Sequence, residues 1–311
     1  MIDYSVIGDI HVDERYLIEL DITFNEILGL GKSKKAVVLG DIFHKHKPSP
    51  LEVQFVLKWF KKLVAHYGEV IVILGNHDLY GGLQTTKILR YLGVTVIESL
   101  EWISTTPYGS LLFGHYFLAE SIDNYTGATR SFKTFQQGYK YVFLGHQHRF
   151  QEFTPTIYHI GSIRYVGFGE YSKPLPLAPK RIAQISDKGD LKFIDLKMPY
   201  PLVQFKDLAG LLNHYKNRPN SNVISDKVRI VYEDFNTYKN DINKLAQLPW
   251  IFEEEIKLKL DFKNLHLIKN FNTSINGCQL STAEVVQKWL ENIQDAEVKE
   301  ILEKESKILC D

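Results

Sequence analysis

Five short segments carry the side chains of this sequence best suited to metal chemistry: Gly8-Asp9-Ile10-His11, Gly40-Asp41-Ile42-Phe43-His44, Gly75-Asn76-His77-Asp78, Gly114-His115 and Gly145-His146-Gln147-His148. They supply three aspartates, an asparagine and a set of histidines, nearly all at the ends of short apolar runs. Two divalent cations held a few ångströms apart need a bridging carboxylate with hard or borderline ligands on either side. Asp9 and His11, two apart on a strand end, can grip one ion, and Asp41 is the natural bridge. Asn76, His115 and His146 can complete the second ion, with His148 returning to the first. His146 and His148 alternate along extended backbone, so each can address a different ion. Such a pair acidifies a water and spreads the charge that develops on phosphorus, which is the chemistry of phosphoester hydrolysis. His77 is placed to protonate the leaving oxygen, and Asp78 to orient its imidazole. His66, His159, His214 and His266 lack comparable context and read as non-ligands.

Those side chains need elements that bring them to one place. The first half alternates strand and helix: strand 3–8, helix 15–28, strand 36–40, helix 50–66, strand 70–74, helix 82–91. Strands follow at 111–113, 141–144 and 158–160, and 181–186 with 191–196 form a hairpin around Asp187-Lys188-Gly189-Asp190. The pattern predicts an α/β fold, a two-sheet α/β sandwich with flanking helices. Each His/Asp segment follows the C-terminal end of a strand, the edge where ligands bind in open α/β sheets. The helix over 50–66 has more apolar residues than one stripe needs, so either a neighbouring element or a second copy of the chain covers it. Pro199 and Pro201 mark a boundary, beyond which residues 202–262 read as a small α+β accessory domain. Within it the reading is strand, helix 206–215, strand 227–232, helix 235–248 and strand 254–260. A polar, Asn-rich stretch over 263–277 precedes a final helix over 282–309, started by the capping pair Ser281 and Glu284. The divisions are thus 1–198, 199–265 and 266–311.

Bulk properties narrow the class. A chain of 311 residues with 44% hydrophobic and 24% charged residues is an ordinary globular protein with room for a catalytic core and a smaller domain. Cys278 and Cys310 suggest a reducing compartment and make poor candidates for a structural disulfide. Met1 leads straight into a strand, and the longest apolar runs are far short of the roughly 20 residues that span a bilayer. The expected location is cytoplasmic, in a bacterium or a phage-infected host, with no membrane partner. With 37 basic and 37 acidic residues the net charge is zero, which counts mildly against nucleic acid as partner.

The ordered set DxH, GDxxH, GNHD, GH and GHxH resembles the calcineurin-like metallophosphoesterases, and within them the SbcD-type nuclease family, most closely its phage recombination-endonuclease version. Gly40-Asp41-Ile42-Phe43-His44 followed by Lys47-Pro48-Ser49 is similar to that family's GDxFH…(K/R)PS, and Gly161-Ser162-Ile163-Arg164 with Gly169-Glu170 to its GS(P)xR…E. The resemblance covers about the first 170 residues specifically and the rest only in architecture. It implies a manganese-dependent DNA nuclease acting by a two-metal mechanism at DNA ends, in double-strand-break processing. Its partners would be DNA, a coiled-coil ATPase of the SbcC type and a second copy of the chain. One ion would fall to Asp9, His11, Asp41 and His148, the other to Asp41, Asn76, His115 and His146. His77 would be the catalytic histidine, and His44 a second that positions the DNA end. The resemblance makes 199–265 a DNA-capping domain, 281–309 the ATPase-docking helix, and the helix over 50–66 part of a dimer bundle.

Lys45 and Lys47 beside the site, and Arg164 after the Gly161-Ser162 turn, are candidate contacts for DNA phosphates. Two other readings compete: a phosphodiesterase of the same fold acting on nucleotides or small phosphodiesters, and a non-catalytic scaffold. The apparently whole ligand set speaks against the scaffold.

Overall fold

The structure is a computed structural model, and it describes residues 1–79, 83–122, 130–167, 170, 179–197, 202–215, 227–232, 240–241 and 253–258. The final helix over 282–309, its capping pair, the stretch 263–277 and all but residues 240–241 of the helix over 235–248 lie outside these.

Two sheets carry the site. In the first, β1 (Ile2–Ile7), β2 (Ser33–Val38), β3 (Glu69–Ile73) and β4 (Thr95–Ile97) run parallel in that order. The second contains β5 (Glu101–Thr106), β6 (Gly109–His115), β7 (Tyr141–Gly145), β8 (Gln151–Thr154) and β9 (Ile157–His159), ordered β5-β6-β7-β9-β8. The expected hairpin, β10 (Arg181–Ser186) and β11 (Leu191–Asp195), returns to the first sheet, with β10 antiparallel to β1. The helices α1 (Leu17–Gly29) and α2 (Pro50–His66) connect β1 to β2 and β2 to β3. After β3 come the short helices α3 (Asn76–Leu79) and α4 (Leu83–Lys87).

Period-two alternation along the strands explains the layers. Val6, Val37, Leu39, Ile71 and Ile73 share a core with Leu111, Phe113 and Phe143 of the second sheet. Their neighbours Ile7, Val38, Val70 and Val72 pack with Leu20, Phe24, Trp59 and Phe60 of α1 and α2. Both faces of β1–β3 are covered, so these strands read as continuous apolar runs. The α/β sandwich predicted from sequence is the fold observed.

The second apolar face of α2 meets α1: Trp59 stacks on Phe24 with centroids 5.1 Å apart, and its Nε1 donates to Asp21 Oδ1 at 3.1 Å. Leu51 on α2 and Ile18 and Ile22 on α1 stay exposed. A capping box starts α2: Ser49 Oγ accepts from the Glu52 amide while Glu52 accepts from that of Ser49, with Pro50 in the first turn.

Three strands escape sequence reading: β4, β5 and β8. All are sheet edges, and β5 and β8 carry polar residues such as Glu101, Thr105, Gln151 and Glu152, as an edge that avoids further pairing does. The helix expected over 82–91 is α4 followed by a 3₁₀ turn, Ile88–Leu92, which Gly93 ends at φ 85°. Separately, β12 (Leu202–Phe205), β13 (Lys227–Tyr232) and β14 (Glu253–Leu258) form a parallel three-stranded sheet, with α5 (Leu208–Tyr215) following β12. No helix among the described residues is long and apolar enough to cross a membrane.

Candidate metal centre

The segments after β1, β2, β3 and β7 and the end of β6 meet at one edge. Asp9 and His11 follow β1, and their chain pairs with the segment after β2 through His11 N–H to Asp41 O at 2.8 Å and Val12 N–H to Ile42 O at 2.9 Å. His11, Asp41 and His146 all have positive φ, 51°, 47° and 77°. Three non-glycine residues in that sparsely populated region mark backbone held for function. Gly145 makes room: a Cβ there would sit 2.4 Å from Asp9 Oδ1 and 2.6 Å from Leu39 O.

Asp41 stands at the centre of the cluster, where a bridging ligand would lie. Its Oδ2 is 3.5 Å from His11 Nε2 and 3.4 Å from His115 Nε2, and its Oδ1 accepts from the His77 amide at 2.9 Å. Asn76 Oδ1 and His146 Nδ1 lie 3.0 and 3.2 Å from the same His115 Nε2. His115 Nδ1–H donates to Leu39 O at 2.6 Å, which points Nε2 at the cluster. Asp9, fully buried, accepts from the His146 amide at 2.9 Å, and the His148 ring is 4.6 Å edge-on from that of His11. All seven sequence-predicted ligands therefore come together.

Donor atoms close to within 4.8 Å of one another in three sets: Asp9, His11 and His148; His11, Asp41 and His77; Asp41, His115 and His146. Imidazole with carboxylate oxygen suits a borderline or hard divalent cation. The plainest sign of fit is His11, 1% exposed, with no hydrogen-bond partner for either ring nitrogen among the described residues. A buried donor or acceptor left that way is costly unless something else occupies it.

The electrostatics agree with cation binding. Burial, then the neighbouring charges, lowers His11 well below its usual value, and burial followed by Lys180 lowers His148 to about 3. These imidazoles are neutral and present lone pairs at neutral pH. For His115 burial also lowers, but Asp41 and Asp9 outweigh it and raise the ring to about 9. Burial pushes Asp9 up, whereas in Asp41 it is overcome by His115, His11 and His77, which hold that carboxyl far below the carboxylate range.

At the mouth, His77 Nδ1–H donates to His44 O at 2.6 Å, leaving Nε2 for chemistry, and the two rings stack 6.0 Å apart. His44 O, not Asp78, therefore orients His77. Asp78 is buried and accepts from the Gly75 and Ile42 amides at 3.0 and 3.2 Å, tying the loops after β2 and β3 together. Lys45 and Lys47 are exposed beside His46, whose Nδ1 donates to His77 O at 3.0 Å.

Arg164 is corrected. Expected to meet DNA phosphates, it is fully buried, with Nη2 donating to His11 O at 2.8 Å and its guanidinium over the Tyr16 ring. Lys180, also buried, escaped sequence reading altogether because nothing near it in the chain resembles a motif. His159, read as a non-ligand, donates from Nδ1 to Gly145 O at 3.0 Å, and its Nε2 is 3.0 Å from Ser121 Oγ, so it supports the β7 end.

Residues 5–150 match the calcineurin-like phosphoesterase family. No curated protein matches the chain in sequence. A crystal structure of a cold-active protein-tyrosine phosphatase of a psychrophile, Shewanella sp., is 11% identical and covers 63% of this chain and 81% of its own, with a TM-score of 0.31. That score is too low to bear on fold or function. The family match spans all five His/Asp segments and ends just past the last, Gly145 to His148. The matched span also holds the His/Asp clusters that could bind a metal ion, and together these support a metal-dependent phosphoesterase.

Proposed function

We propose that this chain is the nuclease subunit of an SbcD-type complex, hydrolysing phosphodiester bonds at DNA ends. The observation that carries the reading is the pairing of His44 with His77 at the mouth of the metal centre, next to exposed Lys45 and Lys47. A small-phosphodiester enzyme has no evident need for a second histidine and two lysines placed there. Two manganese ions would be held by Asp9, His11, Asp41 and His148 and by Asp41, Asn76, His115 and His146. When bound, they supply charge to the phosphoryl oxygens and acidify the attacking water. His77, fixed through Nδ1, hands a proton from Nε2 to the leaving oxygen. Lys45 and Lys47 hold flanking phosphates.

In this reading residues 199–265 cap the DNA and 266–311 dock on a coiled-coil ATPase. The exposed Leu51, Ile18 and Ile22 would lie in a homodimer contact, and the complex would work in the cytoplasm. Zero net charge, with Arg164 withdrawn from the surface, favours a second reading, a phosphodiesterase of nucleotides or small diesters.

The test is hydrolysis with added manganese by wild type and His77→Ala, on linear duplex DNA, single-stranded DNA and bis-p-nitrophenyl phosphate. DNA degradation that disappears in the variant while its metal content stays intact supports the nuclease. Activity on the small diester alone, still without DNA cleavage once an SbcC-type ATPase is added, rejects it in favour of the second reading.

A further inference from the structure

Arg164 and Lys180 are both buried cations, and both are committed to the backbone of metal-binding residues. Arg164 donates to His11 O from Nη2 at 2.8 Å and from Nε at 3.3 Å. Lys180 Nζ donates to His148 O at 2.7 Å and to Ser162 Oγ at 2.9 Å, and it pairs with Glu170. The turn between them completes the pattern: Ser162 N–H donates to His148 O and Ile163 N–H to Asp9 O, each at 3.0 Å. Ser162 Oγ donates in addition to Arg164 O at 2.7 Å, closing the turn on itself. The carbonyls of Asp9, His11 and His148 are thus all taken by one short segment and one lysine. Those three residues are also one of the donor sets of the metal centre.

The opposite side is anchored by other means. His115 is fixed by Nδ1–H to Leu39 O and by its amide to Leu100 O. The charged grip falls where the backbone needs it, since His11 sits at φ 51°, a conformation that persists only when its surroundings over-determine it. Charge-assisted bonds from a guanidinium are among the stronger ways to do that. Close packing reinforces the turn: a Cβ on Gly8 would lie 1.7 Å from Gly161 O, so β1 and the turn meet backbone to backbone.

We propose that residues 161–164, with Lys180, form a carbonyl clamp that sets the geometry of the Asp9, His11 and His148 side of the metal centre and leaves the Asn76, His115 and His146 side untouched. Arg164 and Lys180 are positioning residues, acting on the cation through the ligands' backbone. The clamp rests on the metal-dependent reading above. An ordinary buried ion pair would lower the stability of the whole chain and move both metal sites together; a clamp moves one.

The experiment is manganese binding to the full-length protein, followed by calorimetry and by electron paramagnetic resonance. Wild type is compared with Arg164→Met, Lys180→Met and Ser162→Ala, and Arg164→Met is repeated on His148→Ala and His115→Ala backgrounds. In Arg164→Met and Lys180→Met one site is expected to weaken by about tenfold or more while the other stays within about twofold, as for other groups that orient ligands from behind. The exchange-coupled two-ion signal should give way to a single-ion six-line spectrum. Arg164→Met should weaken the remaining site of His115→Ala by a similar factor and leave that of His148→Ala unchanged, and Arg164→Lys should recover part of the affinity. Equal weakening of both sites, or two sites of wild-type affinity in a folded variant, would overturn the clamp. Should Arg164→Met fail to fold, Ser162→Ala, which keeps both cations, decides by the same asymmetry at a few-fold scale. Wild type that takes up no manganese would sink the metal-dependent reading itself, an outcome separate from two tight sites that persist in every variant.

Discussion

The two sides of the metal centre use the same residue type in opposite states. His11 and His148 are shifted down, burial first, so their rings stand neutral and ready. His115 is as deeply buried, yet Asp41 and Asp9 raise it to about 9, and it keeps a proton between two carboxylates. Its neighbour His146 is lowered to about 4, by burial and then by the His115 charge. The imidazoles of one side therefore offer lone pairs without competition, whereas His115 on the other must release a proton before a cation enters.

The largest effect should come from the residue both sides share. Asp41→Asn removes the carboxylate 3.5 Å from His11 and 3.4 Å from His115, so neither side keeps its full set. Metal content should fall toward zero and hydrolysis of bis-p-nitrophenyl phosphate by roughly a thousandfold, on the scale of removing a group that stabilises transition-state charge. Retention of one tight ion would mean that Asp41 serves one side only. Next come the single-side variants, His148→Ala and His115→Ala, each expected to keep one equivalent. Metal uptake by His148→Ala should release the His115 proton below pH 9 and tighten as pH rises, while uptake by His115→Ala lacks that proton and should tighten less from pH 7 to 9. Calorimetry in buffers of different ionisation enthalpy reads this, and identical proton release by the two variants would erase the contrast.

Much of this centre was legible in the sequence because its ligands sit where apolar runs end, and runs such as Val70 to Leu74 are apolar because both faces of β3 are covered. The segments name directly the seven side chains that the fold brings together. What stayed hidden acts through space rather than through local pattern. Lys180 lies over 30 residues beyond His148, and only the fold brings it to that carbonyl. Arg164 was visible as a motif residue, but its sequence neighbours cannot tell a buried guanidinium from an exposed one. The edge strands β5 and β8 stay hidden for a related reason: the polar residues that discourage further pairing also break the alternation that announces a strand. The capping box of α2, by contrast, was readable from Ser49 and Glu52 and went unused.

A smaller effect concerns stability before metal is bound. His115 is near 6.5 when unfolded and about 9 when folded, so the folded chain holds its proton more tightly. That contribution is fully present below about pH 6.5 and lost as pH rises through about 9, with an upper limit of roughly 3 kcal/mol by linkage. Asp9, also raised, loses its own contribution at lower pH, between its ordinary range and neutrality, so the window above pH 7 reports His115. The melting temperature of the metal-free protein should fall from pH 7 to 9, and that of His115→Gln should fall less. Parallel curves for the two proteins would remove His115 as the proton's holder.

The smallest effect should come from behind the His115 side. His159 Nδ1–H donates to Gly145 O, which only accepts, so its Nε2 is the acceptor and Ser121 Oγ–H donates to it at 3.0 Å. The same Oγ accepts from the Leu118 amide at 3.0 Å. Burial lowers His159 to about 3, so the ring stays neutral and the direction of these bonds is fixed at any working pH. Ser121→Ala leaves a buried ring nitrogen and a buried amide unsatisfied, a cost of about 2 kcal/mol. Gly145 immediately precedes His146, so the loosened β7 end should weaken the His115 and His146 side by a few-fold. The His11 and His148 side should keep wild-type affinity, because its carbonyls are held from the 161–164 turn instead. Equal loss on both sides would mean that the strand ends move as one body, and the two halves of the centre would then differ in charge but not in mechanical support.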